Sequence, residues 1–178
     1  MQDLVLISRA ADFAARCHAG QRRKGATREP YLNHLAEVAH LLATATEGRD
    51  AALVAAGWLH DTIEDTDVSR EQLAELFGDD VAVLVVEVSD DKTLPKAERK
   101  RLQIAHAPHL SARARMIKLA DKISNLRSLL VSPPDDWERE RLIDYLDWAE
   151  QVAAGCQGVN PALETLFRKT AARSRAVL

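Results

Sequence analysis

The sequence predicts an all-α fold, on three observations. Apolar residues recur at helical spacing along nearly the whole chain, turn residues punctuate the segments between, and no pair of alternating strands appears. Leu4, Ile7, Ala11 and Ala14 place a first helix over 3–19, ended by Gly20, and the polar stretch 21–30 reads as a loop. Leu35, Val38, Leu41 and Leu42 share one face of a second helix over 33–46. Asp50 is the N-cap of a third, 51–64, whose apolar residues nearly encircle it and make it central, with Trp58 in the core. Ser69 with Gln72 forms a capping box for a short helix that stops near 77–78.

The run 81–88 is rich in β-branched residues, yet Val81, Leu84, Val85 and Val88 keep the helical period, so it reads as helix. Pro95 sits in the first turn of the next, to about 107. Ser111 opens a long helix to about 131, followed by Pro133 and Pro134. Asp135 or Asp136 caps the penultimate helix, to about 154, and Asn160 with Pro161 starts the last. No repeat, linker or low-complexity tract divides the chain, so 1–178 reads as one domain.

Composition narrows the function classes. At 178 residues, 47% apolar, the chain can bury a full core without disulfides or a structural metal. A net charge of −3 and a pI near 6.1 argue against a general nucleic-acid binder. Cys17 and Cys156 stand far apart with no CxxC, which excludes a disulfide framework and a zinc ribbon and fits a reduced, cytoplasmic chain. No apolar run approaches the roughly 18 residues of a membrane span. Asp3, Arg9 and Asp12 break up the start of the chain, so no signal peptide is read there.

The strongest chemical signal is His60-Asp61-Thr62-Ile63-Glu64-Asp65, at the end of the most apolar helix. Imidazole nitrogen and carboxylate oxygen suit manganese, zinc or iron. Residues four apart are helix neighbours, which puts Glu64 over His60 and Asp65 over Asp61. Alone, the motif fits a solvated helix terminus equally well. His34 at a helix start and Asp121 inside the apolar stretch 116–123 change the balance. Three separated sites, H … HD … D, supply two nitrogens and two oxygens and leave positions for water and substrate, as in an open catalytic centre.

The order His34 … His60-Asp61 … Asp121 resembles the HD superfamily of metal-dependent phosphohydrolases. Longer strings narrow the likeness: Arg22-Arg23-Lys24 before PYLNH (30–34), LHDTIEDT (59–66), DDKTLPKAERKRLQ (90–103), KLADKISNLR (118–127) and YLDWAEQVAAGCQGVN (145–160). They resemble the hydrolase domain of the RelA/SpoT family, and within it the small single-domain alarmone hydrolases, including the metazoan SpoT homologue. Leu35 departs from the proline usual after the first histidine. The resemblance implies a compact helical HD bundle with a Mn²⁺ site between helices. It also implies hydrolysis of guanosine tetra- and pentaphosphate, (p)ppGpp, to GDP or GTP plus pyrophosphate. By that resemblance His34, His60, Asp61 and Asp121 are metal ligands, and Glu64 and Asp65 the acidic pair that activates water. Arg23, Lys24, Asn125, Lys96 and Tyr145 match substrate-contacting positions. Which of Glu64 and Asp65 moves the proton stays open, as does the oligomeric state.

Local cation clusters can hold such an anion despite the negative net charge. Arg16, Arg22, Arg23, Lys24 and Arg28 form one, and Lys96, Arg99, Lys100 and Arg101 another, although 99–101 reads better as a solvated helix face. His18, His40, His106 and His109 lack a complementary motif and read as surface or packing residues, as do Trp137 and Trp148. Two alternatives remain: an HD phosphohydrolase acting on another nucleotide, such as the 2′-phosphate of NADPH, and an inactive alarmone-binding module.

Overall fold

The computed structural model describes residues 2–178, and among them there are ten α-helices, one 3₁₀ turn and no strand beyond an isolated bridge between Arg22 and Pro30. In order these are α1 (Gln2–Cys17), α2 (Leu32–Ala45), α3 (Ala51–Leu59), α4 (Thr62–Asp65), α5 (Arg70–Phe77) and α6 (Asp79–Val88). Then follow α7 (Lys96–His106), the 3₁₀ turn Ala107–His109, α8 (Ala112–Val131), α9 (Arg139–Gly155) and α10 (Pro161–Val177). None is long and apolar enough to cross a membrane.

The caps read from the sequence organise the helix starts. Asp50 accepts from the Leu53 amide at 3.0 Å, Ser111 from Ala114 and Asn160 from Leu163, and Ser69 with Gln72 closes a complete capping box. Each such cap is worth about 1 kcal/mol. The ambiguous β-branched run is helix α6, with Val81, Leu84, Val85 and Val88 facing inward. α3 is the hub, packed against α1, α2 and α6, with Leu53, Val54, Ala55, Ala56, Gly57 and Leu59 all buried. Gly57 lets α2 approach closely, since a Cβ there would stand 2.6 Å from Leu42 Cδ1 and force that side chain to shift. Leu35, next to His34, is fully buried on α2. Trp58, expected in the core, is only half-buried and packs against its edge.

Two expected boundaries fail. The helix over 51–64 breaks at His60–Asp61, because the Thr62 hydroxyl donates to the Leu59 carbonyl at 2.6 Å and competes with the helical ladder. The break turns the chain without unwinding it: the Asp65 amide still donates to the Asp61 carbonyl, at 2.8 Å. The penultimate helix begins at Arg139, with Glu138 rather than Asp135 or Asp136 at the cap position. Residues 133–137 are spent in a turn in which Trp137 N–H donates to Pro134 O.

That turn supports the loop before α2. Ala26 N–H donates to Pro133 O, and the Thr27 amide donates to Ser132 Oγ at the end of α8. Gly25 makes the closest approach; a Cβ would overlap the Ser132 carbonyl at 2.1 Å. The loop bearing Arg22, Arg23 and Lys24 is thereby held against α8, the helix that carries Asp121 and Asn125.

Candidate active site

Three helical segments converge on one point: the start of α2 with His34, the break after α3 with His60, and mid-α8 with Asp121. One ligand atom from each of these residues lies within 4.8 Å of the others. Asp61 adjoins the group, its Oδ2 3.1 Å from His60 Nε2 and 3.6 Å from His34 Nε2. The Tyr31 hydroxyl donates to that same Oδ2 at 2.7 Å, which fixes the carboxylate.

Hydrogen-bond polarity settles which face each imidazole turns inward. His60 Nδ1 lies 2.8 Å from the Gly57 carbonyl, which can only accept, so the proton is on Nδ1. His34 Nδ1 lies 2.9 Å from Ser124 Oγ, whose single proton goes to Glu37 Oε2 at 2.6 Å. Ser124 must therefore accept from His34 Nδ1–H. Burial works against ionising Glu37, but Ser124 and the Arg127 guanidinium outweigh it and hold its carboxyl below the usual range. With Nδ1 of each ring committed in this way, Nε2 of each points into the site, and both Nε2 atoms are buried without a hydrogen-bond partner. Two orphaned imidazole nitrogens beside carboxylates are the donor set of a divalent transition metal.

The surrounding charges agree. Burial opposes ionisation of Asp121, but the Lys122 ammonium at 2.7 Å and the histidines hold its carboxyl far below the ordinary range. Asp121 Oδ1 faces His34 Nε2 at 3.4 Å and accepts from Asn125 Nδ2, so Oδ2 goes to Lys122. His60 is pushed up to about 9, since Asp61 and Asp121 outweigh the burial that favours its neutral form.

His60, Asp61 and Asp121 line a small cavity of about 170 Å³. It shares Glu64, Asp65, Asn125 and Tyr145 with a larger cavity of about 640 Å³, which all five substrate-contact candidates line: Arg23, Lys24, Lys96, Asn125 and Tyr145. Arg23 donates to Asn125 Oδ1 at 3.2 Å, linking the basic loop to Asp121 through one side chain. Tyr145 stacks edge-on against Trp148, and burial pushes its phenol up to about 12.

The acidic pair is not symmetric. Asp65 Oδ1 takes Lys92 Nζ at 2.5 Å and Oδ2 takes Gln21 Nε2 at 3.0 Å, so both oxygens are engaged. Glu64 Oε2 accepts the Asp90 amide at 3.2 Å, while Oε1 has only the longer contacts to Arg99, 3.5 Å, and Lys92, 3.7 Å. Burial, with Asp90 and Asp61 nearby, raises the Glu64 carboxyl above the usual value.

Five contributing residues were not singled out from the sequence. Arg99 was read as part of a solvated face, which holds for Arg101, paired with Glu98, but not for Arg99 beside Glu64. Lys92, Tyr31 and the Ser124–Glu37 pair act through contacts far apart in sequence, which no local pattern announces. His18, expected at the surface or in packing, is packed, stacked on Tyr31 with its Nδ1 on Gln21 Oε1.

The HD domain family model matches residues 10–144 of this chain. The chain belongs to the HD-domain family. Within it, the chain is 50% identical over 159 residues to the human guanosine-3′,5′-bis(diphosphate) 3′-pyrophosphohydrolase MESH1, covering 89% of each. The Xenopus tropicalis enzyme of the same name is 48% identical over 162 residues, covering 91% of this chain and 90% of the relative. The solved structure of a metazoan SpoT orthologue reported to hydrolyse ppGpp matches with a TM-score of 0.91 at 43% identity, over 97% of both chains. In this HD-domain chain His34, His60 and Asp121 are the residues that converge.

Proposed function

We propose that this protein is a metal-dependent hydrolase that removes the 3′-diphosphate of ppGpp and pppGpp, releasing GDP or GTP and pyrophosphate. Its role is then to lower the stringent-response alarmone in the cytoplasm, with no nucleic-acid partner, and 1–178 act as one HD hydrolase domain. The observation that carries this reading is the pair of inward, unpartnered Nε2 atoms beside Asp121, under a cavity walled by Arg23, Lys24 and Lys96. Identity near 50% to pyrophosphohydrolases of that specificity supports it.

His34, His60, Asp61 and Asp121 would hold the ion, taken to be Mn²⁺. Bound there, it supplies Lewis-acid polarisation of a phosphoryl oxygen and makes water more acidic. The chain's own groups do the rest. Glu64 accepts the proton of the attacking water, because its Oε1 is the less engaged carboxylate oxygen and its raised pKa makes it the stronger base. Asp65, both of whose oxygens are held by Lys92 and Gln21, orients the groups around it. Arg23 and Asn125 hold the nucleotide beside Asp121, and Tyr145 and Trp148 form the apolar wall of the cavity. Attack at the ribose-proximal phosphorus of the 3′-diphosphate breaks its bond to the ribose oxygen, which leaves as a hydroxyl on taking up the proton that Glu64 accepted from the water.

The test is purified protein with Mn²⁺ and a panel of ppGpp, pppGpp, GTP and NADPH, with the products identified. Pyrophosphate from the first two and no phosphate from NADPH is the expected result. Phosphate release from NADPH alone, or tight ppGpp binding without turnover, overturns it.

A further inference from the structure

The hydrolytic chemistry leaves one buried imidazole unused. His18 directly follows α1, is 2% exposed, and makes one side-chain hydrogen bond, from its Nδ1 to Gln21 Oε1. Its Nε2 is buried with no partner among the described residues. An apolar ring would serve packing better, because a buried polar atom without a partner costs free energy. The bond to Gln21 is what the imidazole adds at this position.

Gln21 carries that bond into the site. Its Nε2 donates to Asp65 Oδ2 at 3.0 Å, 44 positions along the chain. A carboxylate accepts, so the amide nitrogen must face Asp65 and the amide oxygen is left for His18. An amide oxygen also accepts, which puts the imidazole proton on Nδ1. The dependence runs both ways. Turned end for end, the Gln21 amide would set its oxygen against the carboxylate, and the Nδ1–H of His18 opposes that flip.

The frame around the pair is fixed. His18 N–H donates to the Ala14 carbonyl of α1, Gln21 N–H to the His18 carbonyl and Tyr31 N–H to the Gln21 carbonyl, each at 3.0 Å. α1 packs on α3, whose end carries His60. The imidazole lies against the Tyr31 ring, with centroids 5.5 Å and planes 27° apart, and the Tyr31 hydroxyl holds Asp61. His18 thus stands behind the acidic turn at a helix end and lines neither the small nor the large cavity.

We propose that His18 is a positioning residue for the hydrolysis: its Nδ1–H fixes the Gln21 amide so that Gln21 donates to Asp65 and holds that carboxylate in one orientation. This rests on the hydrolase reading above and adds to it a residue that touches neither substrate nor metal.

The first test is nuclear magnetic resonance of the unsubstituted, metal-free protein, which needs no turnover. Long-range proton–nitrogen correlations of the histidine rings should place the His18 proton on Nδ1, and an Nδ1 without a proton overturns the proposal. The second is a double-mutant cycle in single-turnover ppGpp hydrolysis at saturating Mn²⁺, with His18→Phe, Gln21→Met and the pair, each checked by circular dichroism. Phenylalanine keeps a ring against Tyr31 and removes the N–H. Each single substitution should slow the reaction about tenfold, the cost of a small misplacement at the site. The pair should be no slower than the slower single variant, because both act through one contact. Effects that multiply in the pair, or an undiminished rate in folded His18→Phe, overturn the proposal. An inactive unsubstituted protein would count against the ppGpp reading instead, and the tautomer would still decide the hydrogen bond.

Discussion

Ser124, 90 positions away, accepts from His34 Nδ1–H and donates its hydroxyl to Glu37, so the Ser124–Glu37 pair determines which nitrogen of His34 is free to bind. Groups that orient a metal-ligating histidine in this way typically account for 10–100-fold in metal affinity. Glu37→Ala should therefore weaken Mn²⁺ binding by about that factor, measured by calorimetry on folded protein. Unchanged affinity would reduce the chain of hydrogen bonds to packing.

Asp121→Ala should abolish both Mn²⁺ binding and turnover while the fold survives. Asp121 makes its contacts to the site and to Lys122, not to the apolar core around α3. Metal content and circular dichroism report the two outcomes separately. A variant with full metal occupancy would remove Asp121 from the ligand set.

The pH dependence of metal binding follows from His60. Its pKa is raised to about 9 by Asp61 and Asp121, against burial, so the metal-free protein carries a proton there at neutral pH that the ion must displace. Asp121 and Asp61 sit well below the usual carboxylate range and release none. Mn²⁺ affinity should rise with pH, by up to about tenfold per unit, and level off near 9. By linkage, the raised pKa stabilises the metal-free fold fully below 6.5, and that contribution is lost as pH rises through about 9. A flat affinity profile from pH 6.5 to 9 contradicts this.

Much of this was legible in the sequence, and the reasons for the remainder are physical. Asp50, Ser69, Ser111 and Asn160 act on amides three residues ahead, so their caps are local and could be read directly. The metal-ligand candidates were legible because their order and the strings around them are distinctive. The break at His60–Asp61 was not, because helical spacing continues through it and only the Thr62 hydroxyl reveals it. Arg99, Lys92 and Glu37 were missed because each meets its partner across 27 to 90 positions.

Arg23 ties the basic loop to Asn125 and the site. Arg23→Ala should chiefly raise KM for ppGpp, by about 1.5–3 kcal/mol of apparent affinity, the worth of a charge-assisted hydrogen bond. Arg101→Ala is the matched control, since that side chain is exposed and paired with Glu98. Arg99 cannot serve as a control, because its contact with Glu64 puts it at the reacting end. Equal effects at Arg23 and Arg101 would mean a diffuse field rather than a contact.

Activity should also show an acid limb set by Glu64. The base must be ionised, and burial with Asp90 raises its pKa above the ordinary 4.5, so kcat should fall at a higher pH than a free glutamate would give. A profile of single-turnover rate against pH on metal-saturated protein reads the position of that limb.

The most direct measurement is single-turnover hydrolysis by Glu64→Gln, alongside equilibrium binding of Mn²⁺ and ppGpp. The substitution keeps volume and polarity and removes the proton acceptor. A fall of about 10²–10⁴-fold in rate, with both binding constants nearly unchanged, is the predicted result. An unchanged rate would pass the proton to Asp65 or to solvent, and loss of Mn²⁺ binding would make Glu64 a ligand; either contradicts the account.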